Sequence, residues 1–169
     1  MGLVTWSGGQ SVSMTDAFAK AGLRVPRLEE KTYTRFREFF AMVGASYFNP
    51  IDIGGMNKDH NATIVEILAR DANVNLVAMQ LSIWSFRNRP DQLADLKSTF
   101  LNARKKSDKP FILLAASPDP LSDAEALSTL NRELQGVGIP CYFTFERAAG
   151  AMRKLVDYHQ FHANGRCAP

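Results

Sequence analysis

Two short segments of the sequence carry residues that can hold an anion, and each contains a pair of glycines. The first is Ser7-Gly8-Gly9-Gln10-Ser11, which follows an apolar run from Leu3 to Trp6 and precedes a helical pattern. Glycine lets the backbone approach a ligand closely, and the first amides of a helix have no partner within it. The helix dipole adds attraction for negative charge, so such a junction is a ready anion site. Gly8-Gly9 also suits a plain tight turn, and the residues alone support both readings. The segment is not a P-loop: it lacks the Gly-Lys-Ser/Thr ending, and no lysine lies in or beside it. The second segment is Asn49-Pro50-Ile51-Asp52-Ile53-Gly54-Gly55. Pro50 biases Asn49 toward extended backbone, and Gly54-Gly55 permit a turn with positive φ. Asp52 lies between two isoleucines and in an extended stretch points away from them, either to the mouth of a crevice or to local amides.

Other chemistries find little support. Cys141 lies in an apolar run and Cys167 near the end of the chain, so neither a CxxC pair nor a Cys/His metal spacing exists. His60 stands beside Asp59 at an expected helix start, where a capping or surface role fits. His159 and His162 have no partner pattern for metal or nucleophile chemistry. No catalytic residue and no metal site is therefore assigned. Lys and Arg number 20 against 17 Asp and Glu, giving a net charge of +3 and a pI near 9.0. The charges are scattered. The one cluster, Arg104-Lys105-Lys106, falls where a helix should end, and cations there complement its dipole. No basic stripe interleaved with aromatics exists, which argues against nucleic acid, although a mild positive balance suits a phosphate-bearing partner. Met1 to Val4 has no basic region and no run reaches the ~18 apolar residues of a membrane span. A cytoplasmic location without membrane contact is expected.

The elements that would position these segments follow from periodicity. The 169 residues, 46% hydrophobic and 22% charged, suit one domain with a core. Leu3 to Trp6 reads as a strand, followed by a helix through Val12, Met14, Ala17, Phe18 and Ala21 that stops at Gly22. Leu23 to Leu28 is expected as a second, edge strand because Pro26 cannot donate to a ladder. Helices are expected over Glu29–Val43, from Asp59 or Asn61 to Arg70, from Pro90 to Lys105, over Ser122–Gln135 and over Glu146–Tyr158. Leu76–Leu81, Pro110–Ala116 and Cys141–Phe145 complete the strands. This alternation predicts a doubly wound, parallel, five-stranded α/β sheet, flavodoxin-like in the order 2-1-3-4-5. Residues 1–158 form the domain and 159–169 a loose tail or linker. In such sheets ligands bind beyond the carboxyl ends of the strands, where the order reverses.

The ordered set Val4-Thr5-Trp6-Ser7-Gly8-Gly9, Asp16, Gly22, Asn49-Pro50-Ile51-Asp52-Ile53-Gly54-Gly55, Ala69-Arg70-Asp71, Val74-Asn75-Leu76-Val77, Lys109-Pro110, Gly138-Ile139-Pro140 and Phe145-Glu146-Arg147-Ala148 resembles the acid–CoA ligase superfamily. The resemblance is to the flavodoxin-like domain that ends the succinyl-CoA synthetase β subunit, and it runs from Leu3 to about Tyr158. It implies part of an NDP-forming acyl-CoA synthetase. A nucleotide phosphorylates a histidine there, phosphate passes to a small carboxylic acid, and CoA captures the acyl phosphate. The phosphohistidine rests between helix N-termini of two such domains, so Ser7, Gly8, Gly9, Gln10 and Ser11 would offer phosphate or substrate contacts. Asn49, Pro50, Asp52, Gly54 and Gly55 would form the supporting loop. The implied partners are a CoA-binding, phosphohistidine-bearing domain and an ATP-grasp domain. CoA and ATP/ADP with Mg belong to the complete enzyme, and the domain alone holds no cofactor. Relatives often carry a further small residue after the glycine pair, where this chain has Gln10, which either crowds the phosphate or hydrogen-bonds it. The chain has no Gly-His or His-Thr-Gly element and no room for an ATP-grasp domain, so by itself it is expected to be inactive. A different class of function is an FMN-binding module using Ser7 to Ser11 for phosphate and Trp84 or Phe86 for stacking. A signalling receiver is rejected because Thr5-Trp6-Ser7 and Leu81-Ser82 stand where acidic residues would be needed.

Overall fold

A computed structural model describes residues 1–40, 43–54, 56, 60–88, 91–117 and 119–163. Five parallel strands, β1 (Gly2–Thr5), β2 (Ile51–Asp52), β3 (Val77–Gln80), β4 (Phe111–Leu114) and β5 (Cys141–Tyr142), form one sheet in the order β2-β1-β3-β4-β5. This is the flavodoxin-like order that the alternation of elements predicts. The three central strands consist of buried residues throughout, because helices cover both faces. Alternate side chains divide into two cores. Leu3, Ala78, Ile112 and Leu114 face Met14 and Phe18 of α1 (Gly8–Lys20) and Ala148, Ala149 and Met152 of α7 (Phe145–Ala163). Val4, Val77, Met79 and Leu113 face the other layer, which contains α2 (Glu30–Arg37), α3 (Asn61–Arg70), α4 (Ile83–Asn88), α5 (Asp91–Lys106) and α6 (Ala124–Gln135). Burying side chains the size of Met14 or Phe18 contributes about 1.5–3 kcal/mol each.

The second strand is not where periodicity placed it. Leu23–Leu28 forms no strand; it leaves α1 through Gly22, whose φ of +75° is a conformation that favours glycine. The edge of β1 is taken instead by the glycine-bearing segment, with Val4 opposite Ile51 and Thr5 opposite Asp52. Below that pair the Asn49 side chain stands in for a strand: its Oδ1 accepts from Leu3 N at 3.0 Å, and its Nδ2 donates to the carbonyls of Met1 at 2.8 Å and Pro26 at 2.9 Å. The proline that suggested an edge position is therefore held beside the sheet by its carbonyl alone.

Three helix bounds also differ. α2 stops at Arg37 rather than Val43, and Phe36, Phe39, Phe40 and Tyr47 then pack ring against ring. α4 occupies a stretch expected to be a loop. α7 continues to Ala163, through residues assigned to the tail, with Tyr158 and Phe161 exposed on its last turns. Neither of the last two departures has a glycine or proline to mark it. The basic cluster does end α5, where Lys106 pairs with Glu66 and Arg104 donates to the Gly138 carbonyl.

Candidate functional site

α1 begins at Gly8, earlier than its apolar periodicity suggests, so Gly8, Gly9 and Gln10 are the first turn of the helix and not a loop before it. Ser7 is the cap, with ordinary extended backbone at φ −163°. Its Oγ accepts from Gln10 N at 3.4 Å and donates to Gln10 Oε1 at 3.2 Å. Gln10 is thus folded back onto the cap. It takes one first-turn amide out of play and does not reach across the mouth of the crevice. Ser11 is turned inward: it is buried, its amide donates to Ser7 O at 2.9 Å, and its hydroxyl lies 2.5 Å from that of Thr5. The amides of Gly8 and Gly9 are left at the exposed end of the helix, facing no acceptor among the described residues.

Neither glycine is required by a positive φ. A Cβ on Gly8 would lie 3.6 Å from Asp52 Oδ2, and one on Gly9 would meet nothing within 4 Å. The glycines therefore keep the helix end bare rather than shape a turn.

The second segment comes to the same place. β1 and β2 run in register, so Asp52 emerges beside the Thr5-Trp6-Ser7 exit from β1, and Ile53 N donates to Thr5 O at 2.9 Å. Asp52 Oδ1 accepts from Gly54 N at 2.9 Å, while Oδ2 faces Gly8. A carboxylate at that position is favoured by the helix dipole. Gly54 does not take positive φ either; its requirement is space. A Cβ there would stand 3.0 Å from Trp6 O, 3.1 Å from Asp52 Oδ1 and 3.2 Å from Gly44 O. The lip beside it is made by Ser46, which pairs with Asp52 through two backbone hydrogen bonds of 2.8 and 2.9 Å. Asn49 points to the strands and not to the mouth, Pro50 follows it through a cis peptide bond, and Gly55 lies outside the described residues. Of the ten residues singled out by sequence, Gly8, Gly9, Asp52 and Gly54 converge at the mouth, Ser7 and Gln10 cap the helix, and Ser11, Asn49 and Pro50 serve the frame.

Two features escaped sequence reasoning. Gln80 ends β3 at the point where strand order reverses; it is 2% exposed, its carbonyl accepts from Trp6 Nε1 at 2.9 Å, and its side-chain Oε1 is buried with no partner. A glutamine closing an otherwise apolar strand was the available signal. The other is a clasp across the far side of the same edge, where Asp123 accepts from Arg87 Nη1 at 2.7 Å and Ser117 Oγ at 2.6 Å. Those bonds, the serine's first, hold the Asp123 carboxyl below its ordinary value of 3.8.

The remaining reactive groups are structural. Burial pushes the Cys141 thiol up to about 12, so it is not a thiolate near neutral pH. His60 stacks on Phe39 with ring centroids 4.8 Å apart. Among the described residues no group of three His, Cys, Asp or Glu could hold a metal ion, and no helix is long and apolar enough to cross a membrane. Phe86 packs against the larger core and offers no free plane to a flavin; the Trp84 side chain lies outside what is described. A cleft of about 380 Å³ opens at the opposite edge, between Arg104, Lys109, Pro110 and Pro140, but Lys109 Nζ is committed there to Asp71 O at 2.6 Å.

The strand order and the helix start at its carboxyl edge define a flavodoxin-like α/β domain with an anion-binding end. No protein-family model matches the chain. It is 25% identical over 167 residues to the ADP-forming acetate–CoA ligase I of Archaeoglobus fulgidus, covering 98% of this chain and 22% of that protein. Among solved structures it resembles PH0766 of Pyrococcus horikoshii OT3, with a TM-score of 0.74 at 24% identity over 92% of this chain and 34% of the other, a likeness of fold. It also resembles the dinucleotide-forming acetyl-coenzyme A synthetase 1 of Ca. Korarchaeum cryptofilum. For the apo form the TM-score is 0.68 at 25% identity, covering 94% of this chain and 33% of that one. For the form in complex with phosphate and ADP it is 0.68 at 26% identity, covering 94% and 32%. The chain belongs to the acid–CoA ligase superfamily as one of its flavodoxin-like domains. It spans about a fifth of the curated relative and about a third of the solved chains.

Proposed function

We propose that this domain serves an NDP-forming acid–CoA ligase by presenting the start of α1 to a phosphoryl group in transit. In that reaction a nucleotide phosphorylates a histidine on another domain, the phosphoryl group passes to a small carboxylic acid, and CoA displaces phosphate from the acyl phosphate to form the thioester. The part played by this chain is electrostatic. The Gly8 and Gly9 amides donate to phosphoryl oxygens, and the dipole of the thirteen-residue helix stabilises their charge. The histidine-bearing CoA-binding domain and the ATP-grasp domain would come from the rest of the enzyme. The relatives support the reading, one being named an ADP-forming acetate–CoA ligase and another being solved with phosphate and ADP. The observation that carries it is the bare end of α1, two exposed glycine amides with open space above Gly9.

The experiment is a pair of substitutions at Gly9 within the complete ligase. A Cβ there meets nothing, so Gly9→Ala should fold and gain up to about 1 kcal/mol from helix propensity. Gly9→Leu should fold as well, but its side chain lies over the open amides and should lower the rate of phosphate transfer at least tenfold. Full transfer by a folded Gly9→Leu enzyme would overturn the reading. So would CoA-thioester formation by the purified chain alone from acid, CoA and nucleotide.

A further inference from the structure

The cradle proposed above is bordered by acceptors as well as donors, and this inference rests on that cradle. Asp52 Oδ1 is occupied by Gly54 N, but no donor among the described residues reaches Oδ2, the oxygen that faces Gly8. Gln80 supplies a second acceptor. It lies one step beyond the paired residues Val4 and Met79 and therefore beside Thr5. By the alternation of β3 its side chain shares the face of Leu76 and Ala78, the face covered by α1 and α7. Thr5 meets Ser11 of the first turn of α1, so the Gln80 amide forms the floor beneath that turn. It is 2% exposed, and its Oε1 has no donor. An unmade hydrogen bond in the interior is costly, and a ligand that supplies the donor removes the cost.

Amide donors from Gly8 and Gly9 attract anionic oxygens, whereas Asp52 Oδ2 repels any oxygen without a proton. An O–H directed at the same carboxylate makes a charge-assisted hydrogen bond instead. We propose that the site at the start of α1 selects an oxyanion that still carries a proton, inorganic hydrogen phosphate, over a fully ionised anion of the same shape, sulfate. The helix end supplies affinity for charge, and Asp52 with Gln80 supplies the discrimination. One hydrogen bond to a charged group corresponds to a preference of roughly tenfold to a hundredfold.

The test titrates the full chain, uniformly labelled with nitrogen-15, with sodium phosphate and separately with sodium sulfate at matched ionic strength near neutral pH. The Gly8 and Gly9 backbone amides and the Gln80 side-chain amide are followed by NMR. The expected result is that phosphate moves all three signals, with an affinity at least tenfold above that of sulfate. In Asp52→Asn the amide keeps an oxygen for Gly54 and replaces Oδ2 by a donor, so the preference should fall to near unity. Gln80→Met keeps the length of the side chain and removes the acceptor. It should bind phosphate several-fold more weakly while its urea midpoint does not fall. Equal affinity for phosphate and sulfate at Gly8 and Gly9 would overturn the selection and leave the cradle standing. Persistence of the preference in Asp52→Asn would do the same. If neither anion moves the Gly8 and Gly9 amides, the cradle itself fails and the selection with it.

Discussion

Asn49 gives the sharpest test of how this edge of the sheet is built. Its side chain makes three hydrogen bonds of 2.8 to 3.0 Å, accepting from Leu3 N and donating to the carbonyls of Met1 and Pro26. Each is worth about 0.5–1.5 kcal/mol net, and Leu3 is fully buried, so its orphaned amide adds a desolvation penalty. Asn49→Ala should therefore cost roughly 2–4 kcal/mol. In a domain of this size that is a fall in Tm of roughly 5–15 °C. Urea unfolding followed by circular dichroism measures the free energy, and an amide correlation spectrum verifies that the variant remains folded before denaturant is added. Asn49→Asp is the informative companion. It retains an acceptor for Leu3 N but sets a carboxylate against two carbonyl oxygens, so it should cost at least as much as the alanine. A loss below about 0.5 kcal/mol for Asn49→Ala, the range of ordinary surface substitutions, would refute the clip and return Asn49 to the list of ligand-facing residues.

Two further outcomes follow from the geometry. Gly54→Ala places a methyl group 3.0 to 3.2 Å from two backbone carbonyls and the Asp52 carboxylate, and it should cost about 1–3 kcal/mol; an unchanged urea midpoint would show that the lip beside β2 yields. The Asp123 carboxyl is held down by Ser117 and Arg87, so its contribution to stability is present above the ordinary carboxyl value of 3.8 and is lost as the pH falls through its lower folded value. Urea midpoints taken from pH 6 down to pH 3 should show this loss in the parent and a shallower one in Asp123→Asn. Parallel curves for the two proteins would contradict the assignment.

The site draws its geometry from two sequence-distant segments brought together by one pairing. Asp52 reaches Gly8 only because Ile51-Asp52 lies along β1, and Gly54 can follow only because it lacks a side chain. The candidate cradle and the sheet are thus one construction: a change that slips β2 along β1 also moves the carboxylate at the helix end.

Much of this was present in the linear sequence, and what was missing has a consistent cause. The central strands are continuous apolar runs, and the helices carry apolar residues at helical spacing. Such periodic, strongly hydrophobic signals report burial directly, so the α/β class and the five-strand order could be read without coordinates. The Gly-Gly pairs were legible as well, because a residue without a side chain stands out. Their purpose was not. Sequence suggested turns of positive φ at Gly54, whereas the fold asks for closeness there and for bareness at Gly9. The identity of the second strand, the inward turn of Ser11, the clip made by Asn49, the folded-back Gln10 and the buried amide of Gln80 all depend on contacts between residues distant in sequence or on which way one rotamer points. Hydrophobic periodicity is a property of neighbours along the chain, and a two-residue strand such as Ile51-Asp52 is too short to show any. Only tertiary pairing decided that a segment resembling a loop was the edge of the sheet, and that its one carboxylate would face the open end of the first helix.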